Sequence, residues 1–292
     1  MGTVMVTTGD RVHPMETIGC RKPVKAAVAI FKGMPGALAA DGLYERICVQ
    51  GAENGIEACV HDLPGCGTRE HEDFLSYQDC IDEIKDVVAA AKSELLGSRS
   101  YFCIMGDGLA ARFIIEAEEQ YGLGADRFIL LNPLLEDGSE QYNDLTGKMN
   151  INGRIAERCG RVPVEMVGSG QWAFITSGLF TGLEASAPLD KFGEITTEML
   201  IACSKEESAE MQTILGLNEM AQQACMLPSA KSDIGLFRKA AVELASFCEG
   251  KVPGAPDIPA PDQEAALENM MKENTAYLHT GEMQQSKEDD GI

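Results

Sequence analysis

Four groups of residues in this chain have types and spacing that could do chemistry. The first is a turn, Gly106-Asp107-Gly108-Leu109-Ala110, lying between an apolar run and a stretch with helical spacing. A glycine turn that feeds a helix aims main-chain N–H groups at whatever lies in front of it, which favours a carboxylate or a polarised carbonyl. The second is His61-Asp62-Leu63-Pro64-Gly65-Cys66-Gly67-Thr68, where Cys66 has His61 and His71 near in sequence. A thiol beside an imidazole can become a thiolate nucleophile, although Gly-Cys-Gly is more often a tight turn. The third is the carboxylate pair Asp107 and Asp137, both at strand ends, with solvated loop side chains as the competing account. The fourth is an aromatic set, Trp172, Phe174 and Phe180, which could cover an apolar ligand or simply seal one layer onto another. Cys103 lies inside the apolar run before the turn and reads as a buried, inert filler.

These groups matter only if the elements around them bring them together. Tyr101 to Met105 has strand length, Leu109, Phe113, Ala117 and Tyr121 recur at helical spacing, and Phe128 to Leu131 repeats the strand. Strand, helix and strand make a right-handed crossover unit whose functional edge is the turn leaving the first strand. Thr3 to Thr8 and Arg11 to Ile18 read as an edge hairpin, Ala26 to Phe31 and Ile56 to Val60 as buried strands, and Leu43 to Asn54 as a helix. Tyr77 to Leu96 is an amphipathic helix carrying Ile81, Ile84, Val88, Ala91 and Leu95. Met199 to Cys203 and Ala224 to Leu227 read as later strands, with helices over Ser208 to Leu217 and Ile234 to Cys248. The alternation predicts an α/β fold, a doubly wound, mainly parallel sheet. It is interrupted over about 136–192 by helical pieces, Gly168 to Phe174 among them, that read as a cap insertion. Residues 1–250 are expected to form this domain; 251–292 follow as a Pro-rich linker and an acidic, partly helical or disordered tail. Met270-Met271 in that tail could dock on a protein partner, on a second copy, or back on the chain's own core.

Composition removes several function classes. With 46 acidic against 24 basic residues, a net charge of −22 repels phosphate backbones and anionic lipid, so neither nucleic acid nor a membrane surface is the expected partner. The N-terminal stretch has no secretory pattern, and no apolar run is long enough to span a bilayer. Ten cysteines are scattered without a CxxC pair, which predicts reduced, mostly buried thiols, no metal, and a cytoplasmic setting.

Three of these patterns, taken in order, resemble the α/β-hydrolase superfamily across roughly residues 3 to 250. Asp62 to Thr68 resembles its D-x-P-G-x-G-x-S loop, Ile30-Phe31-Lys32-Gly33-Met34 stands where it donates an oxyanion amide, and Gly106 to Ala110 stands at the nucleophile elbow, G-x-S-x-G. Asn132 to Gly138 and Val164 to Gly168 are similar to the cap of the hydrolase-like group associated with exosortase A and exopolysaccharide systems. The chain departs from the pattern where chemistry needs it: Gly108 occupies the nucleophile position, and Pro228 to Asp233, where the base should lie, contains no histidine. The resemblance therefore implies a hydrolase scaffold without its triad and without a cofactor. Its pocket would be formed by Gly33, Met34, Gly106, Asp107, Gly108, Leu109 and Trp172, and would take an acyl or carboxylate ligand. An acyl hydrolase or acyltransferase using Cys66, with Asp137, Glu206 or Glu207 as acid, is the alternative. A second alternative is nicotinamide dinucleotide binding at Gly106-x-Gly108-x-x-Ala111, although the next strand ends in Leu131-Asn132-Pro133 rather than an acidic residue.

Overall fold

Period-two patterning builds the N-terminus: β1 (Gly2–Thr8) and β2 (Arg11–Ile18) pair antiparallel around Gly9-Asp10, from Gly2 opposite Thr17 to Thr8 opposite Arg11. There follow β3 (Ala26–Lys32), α1 (Leu43–Asn54), β4 (Ile56–Asp62), α2 (Tyr77–Leu95), β5 (Tyr101–Asp107), α3 (Leu109–Tyr121) and β6 (Arg127–Leu131). After these come β7 (Arg161–Glu165), β8 (Trp172–Thr176), α4 (Ser177–Ala185), α5 (Pro188–Phe192), β9 (Glu198–Ala202), α6 (Ser208–Leu215), β10 (Ala221–Gln223) and α7 (Ile234–Cys248). The computed structural model describes residues 2–20, 22–32, 43–64, 69, 76–95, 101–135, 138, 161–165, 172–203, 208–223 and 234–250. The chain divides into two units, Met1–Pro253 and Gly254–Ile292, and the described residues all belong to the first.

Eight strands form one sheet in the order β1-β2-β4-β3-β5-β6-β9-β10. β1, β2 and β4 pair antiparallel in succession; from β4 onward every neighbour is parallel. Parallel strands covered on both faces need apolar side chains throughout, which is why AAVAIF in β3 and RFILL in β6 are buried without interruption. One face packs Phe31, Phe102, Ile104 and Phe128 against α2, α3 and α4; the other packs Val28, Cys103, Met105 and Ile129 against α1 and α7. This is the doubly wound sheet that the alternation predicts, and among the described residues no helix is long and apolar enough to cross a membrane.

Three elements differ from the sequence expectation. Trp172–Thr176 is a strand paired antiparallel with β7, not a helical piece, in keeping with its aromatic and β-branched composition; helix begins only at Ser177. Among the described residues β10, Ala221–Gln223, is a strand the sequence reading did not single out; the expected strand Ala224 to Leu227 lies outside the described residues. In α3 the expected stripe ended on Tyr121, which is 42% exposed, whereas Leu109 through Ile115 are all buried. The first two turns of α3 are wedged between β5, α2 and the cap, so no side of them faces water.

Candidate functional site

The site begins with the turn from β5 into α3. At Gly106 an added Cβ would stand 2.4 Å from Ile114 Cδ1 and 2.9 Å from the Ala111 nitrogen, so only glycine lets α3 fold back this closely on the strand. At Gly108 the backbone takes φ 57 and ψ −119, a conformation that side-chain-bearing residues hold only at a cost. The turn is stitched down: the Gly108 N–H donates to Leu131 O at 2.9 Å, and Leu134 N–H donates to Gly108 O at 3.3 Å. Gly108 supplies no side-chain cap to α3, and the first turn carries no acidic residue.

Asp107 is not the solvated loop carboxylate that its sequence position suggested. It is 2% exposed and accepts a hydrogen bond from Tyr44 Oη at 2.9 Å, which ties α1 to the elbow. Next to it, β6 leaves the sheet through Asn132, which has φ 39 and whose N–H donates to Ala202 O at 2.7 Å.

On the other side of β3 the strand ends are stapled together. Lys32 Nζ lies 3.3 Å from Asp62 Oδ1, and Leu63 N–H donates to Lys32 O. Both strands run on from here into the segments that carry Gly33, Met34 and Cys66. Beneath this staple lies a buried charge cluster. His61 Nε2 donates to Glu83 Oε1 at 2.7 Å, and Arg69 donates to both Glu83 oxygens and to Asp62 O at 3.0 Å. Burial alone would raise the Glu83 carboxyl; the hydrogen bonds and charge of His61 and Arg69 outweigh it and hold the group at about 2. His13 stacks at a tilt on His61, with ring centroids 5.0 Å apart. His13, His61 and Glu83 bring ligand atoms within 4.8 Å of one another, a donor set fit for a metal. Arg69 Nη1, however, is hydrogen-bonded to Glu83 Oε1 and 3.1 Å from His61 Nε2, so the guanidinium already holds the cation's place. Sequence reading noted His61 but missed both partners. The available signal was Glu83, a carboxylate on the apolar face of α2 among Cys80, Ile84 and Val87.

The cap is held by one buried cation. Arg112, 0% exposed, donates from Nε to Tyr77 Oη at 2.9 Å and to Ser186 Oγ at 3.0 Å, from Nη1 to Leu134 O and from Nη2 to Ser186 O. It thus ties α2, the exit of β6 and the end of α4 to the elbow helix. Phe180 on α4 is buried in the same core as α2 and α3, so it seals layers rather than covering a ligand. Trp172 and Phe174 belong to β8, and their side chains lie outside the described residues.

The described thiols fit the reading as fillers. The hydrogen bond to Cys248, together with burial, pushes the Cys103 thiol well above its ordinary range, and burial pushes Cys48 and Cys59 up to about 12. Gly33, Met34, Cys66, His71, Asp137, Glu206, Glu207, the segment Pro228 to Asp233, and His279 all lie outside the described residues.

No family model matches the chain, and no curated protein matches it. Solved structures do. The chain is similar to Est1E from Butyrivibrio proteoclasticus, at 13% identity and TM-score 0.63 over 86% of this chain and 100% of that one. It is similar to a soluble variant of monoglyceride lipase from Saccharomyces cerevisiae in complex with a substrate analog, at 10% identity and TM-score 0.63 over 85% and 94%. It is also similar to the thioesterase domain from the curacin biosynthetic pathway, at 13% identity and TM-score 0.54 over 85% and 99%. The fold is that of the α/β-hydrolases. In this fold β5 passes into α3 through a tight turn at Gly108, which carries no side chain.

Proposed function

We propose that this chain is a binding protein built on an α/β-hydrolase scaffold, one that holds an acyl or carboxylate-bearing small molecule without hydrolysing it. Gly108 carries the reading: the elbow keeps its backbone and its helix N-terminus, which can hold a carboxylate or acyl carbonyl, but it lacks an atom to attack with. The acyl class is supported by the names of the structural neighbours, a monoglyceride lipase and a thioesterase domain among them. A protein partner in place of the small molecule, and a link to exopolysaccharide systems, belong to the same proposal and rest on cap residues such as Asn132 to Gly138. The test is turnover of a panel of acyl esters and thioesters by purified protein, with calorimetric titration of the corresponding carboxylic acids alongside. Saturable binding without turnover above the uncatalysed rate is the expected result, and turnover that survives repurification would contradict it.

One observation favours a second reading. Asp62 and Arg69, on either side of Cys66, are both pinned to the buried cluster, which gives that segment fixed ends. This supports an acyl hydrolase or acyltransferase with Cys66 as nucleophile, in which Cys66→Ala abolishes turnover while leaving the unfolding midpoint unchanged. For nicotinamide dinucleotide binding, β6 leads into Asn132 and Pro133, neither able to accept from ribose hydroxyls as a carboxylate does. Fluorescence titration with the reduced cofactor decides that reading.

A further inference from the structure

We propose that β1 is a self-association edge: two copies of the chain pair their β1 strands antiparallel about a two-fold axis at Met5, joining two eight-stranded sheets into one. β1 ends the strand order, and among the described residues no strand pairs with its outer edge. A free edge carries a row of unpaired N–H and C=O groups, and folded proteins protect such edges by shortness, charge, proline or a bulge. The opposite edge, β10, is only three residues long. β1 has seven residues, GTVMVTT, with no charge and no proline, and its ladder with β2 runs in unbroken register over all seven.

The occupant follows from charge and from the pattern of the strand. In a chain of net charge −22, two copies repel wherever their carboxylates meet, and β1 brings none to the seam. The strand is also complementary to itself. Pairing about Met5 sets Thr3 opposite Thr7 and Val4 opposite Val6 of the second copy, so threonine meets threonine on the exposed face and valine meets valine on the core face. Val6 is buried and Val4 packs partly against the core, so the second copy would extend an apolar layer already present. Met5, 60% exposed, would meet Met5 of the other copy at the axis, with Pro14 and the 61% exposed Val12 of β2 flanking it on the same face of each sheet.

Sedimentation of the full chain tests this, using charges placed on the exposed face of β1. The wild type is expected to sediment with twice the mass of one chain. Thr3→Lys with Thr7→Lys sets like charges opposite each other across the seam, and is expected to give a monomer that still unfolds in one cooperative transition, at a midpoint lowered by the lost association. Mixing it with Thr3→Glu/Thr7→Glu is expected to restore the dimer. A monomeric wild type overturns the proposal, as does a dimer that survives the lysine pair. A monomer in which the outward-facing β1 amides, those not bonded to β2, resist hydrogen exchange also overturns it, and would mean that something other than a second copy covers the edge.

Discussion

At Gly108 the backbone sits where a side chain costs about 1–3 kcal/mol. Gly108→Ser is therefore expected to lower stability by about that amount, read as a shift in the urea midpoint. It is not expected to create turnover, because a serine without a base remains a weak nucleophile. Glu83 makes the opposite argument, since here a charge is satisfied only by its partners. Glu83→Gln leaves Arg69 buried beside a neutral amide, and a loss of about 3–5 kcal/mol in urea unfolding is expected. The same carboxylate predicts an acid limb. Its folded value of about 2 lies below the ordinary 4.5, so its contribution is complete above about 4.5 and is lost as pH falls toward 2. Unfolding midpoints measured across that window should fall for the wild type and stay flatter for Glu83→Gln. His61, His13, Arg69 and Asp62 face the same cluster, so the comparison with the variant isolates the share that belongs to Glu83.

Among the elements, α3 does the most positioning: its N-terminus forms the elbow, and Arg112, one turn further on, holds the cap. Arg112→Met keeps an apolar stem but removes the donor to Tyr77, Leu134 and Ser186, and a loss of about 3 kcal/mol is expected. Because the lost bonds tie the cap down, limited proteolysis should cut within 136–192 sooner than in the wild type while the sheet stays intact. Early cutting elsewhere would contradict this role. The strands β3, β5 and β6 were legible in the sequence because two-sided burial demands continuous apolar runs, and α1, α2 and α7 because one-sided burial leaves a period. β8 was read as helix because an isolated hairpin of five-residue strands leaves little periodicity to detect. In the elbow, Gly106 and Gly108 could be found from local spacing. Tyr44 could not, since it reaches Asp107 across 63 positions of chain, and Arg69 finds Glu83 across 14 by the way α2 lies on the sheet.

On the scale of the whole molecule, the sheet has a chemical end and a bare edge. The parallel strands β3, β4, β5, β6 and β9 deliver their C-terminal ends to one side, where Lys32, Asp62, Asp107 and Gly108 collect, while β1 lies at the antiparallel margin. At that chemical end the proposal is a hydrolase frame without its nucleophile. The most direct measurement is intact-protein mass after incubation with a fluorophosphonate, which reacts with an activated serine whatever the natural ligand. The account predicts an unchanged mass for the wild type, native and acid-unfolded alike. A stoichiometric adduct on the native protein that disappears on unfolding would contradict it, and the labelled residue would be the nucleophile.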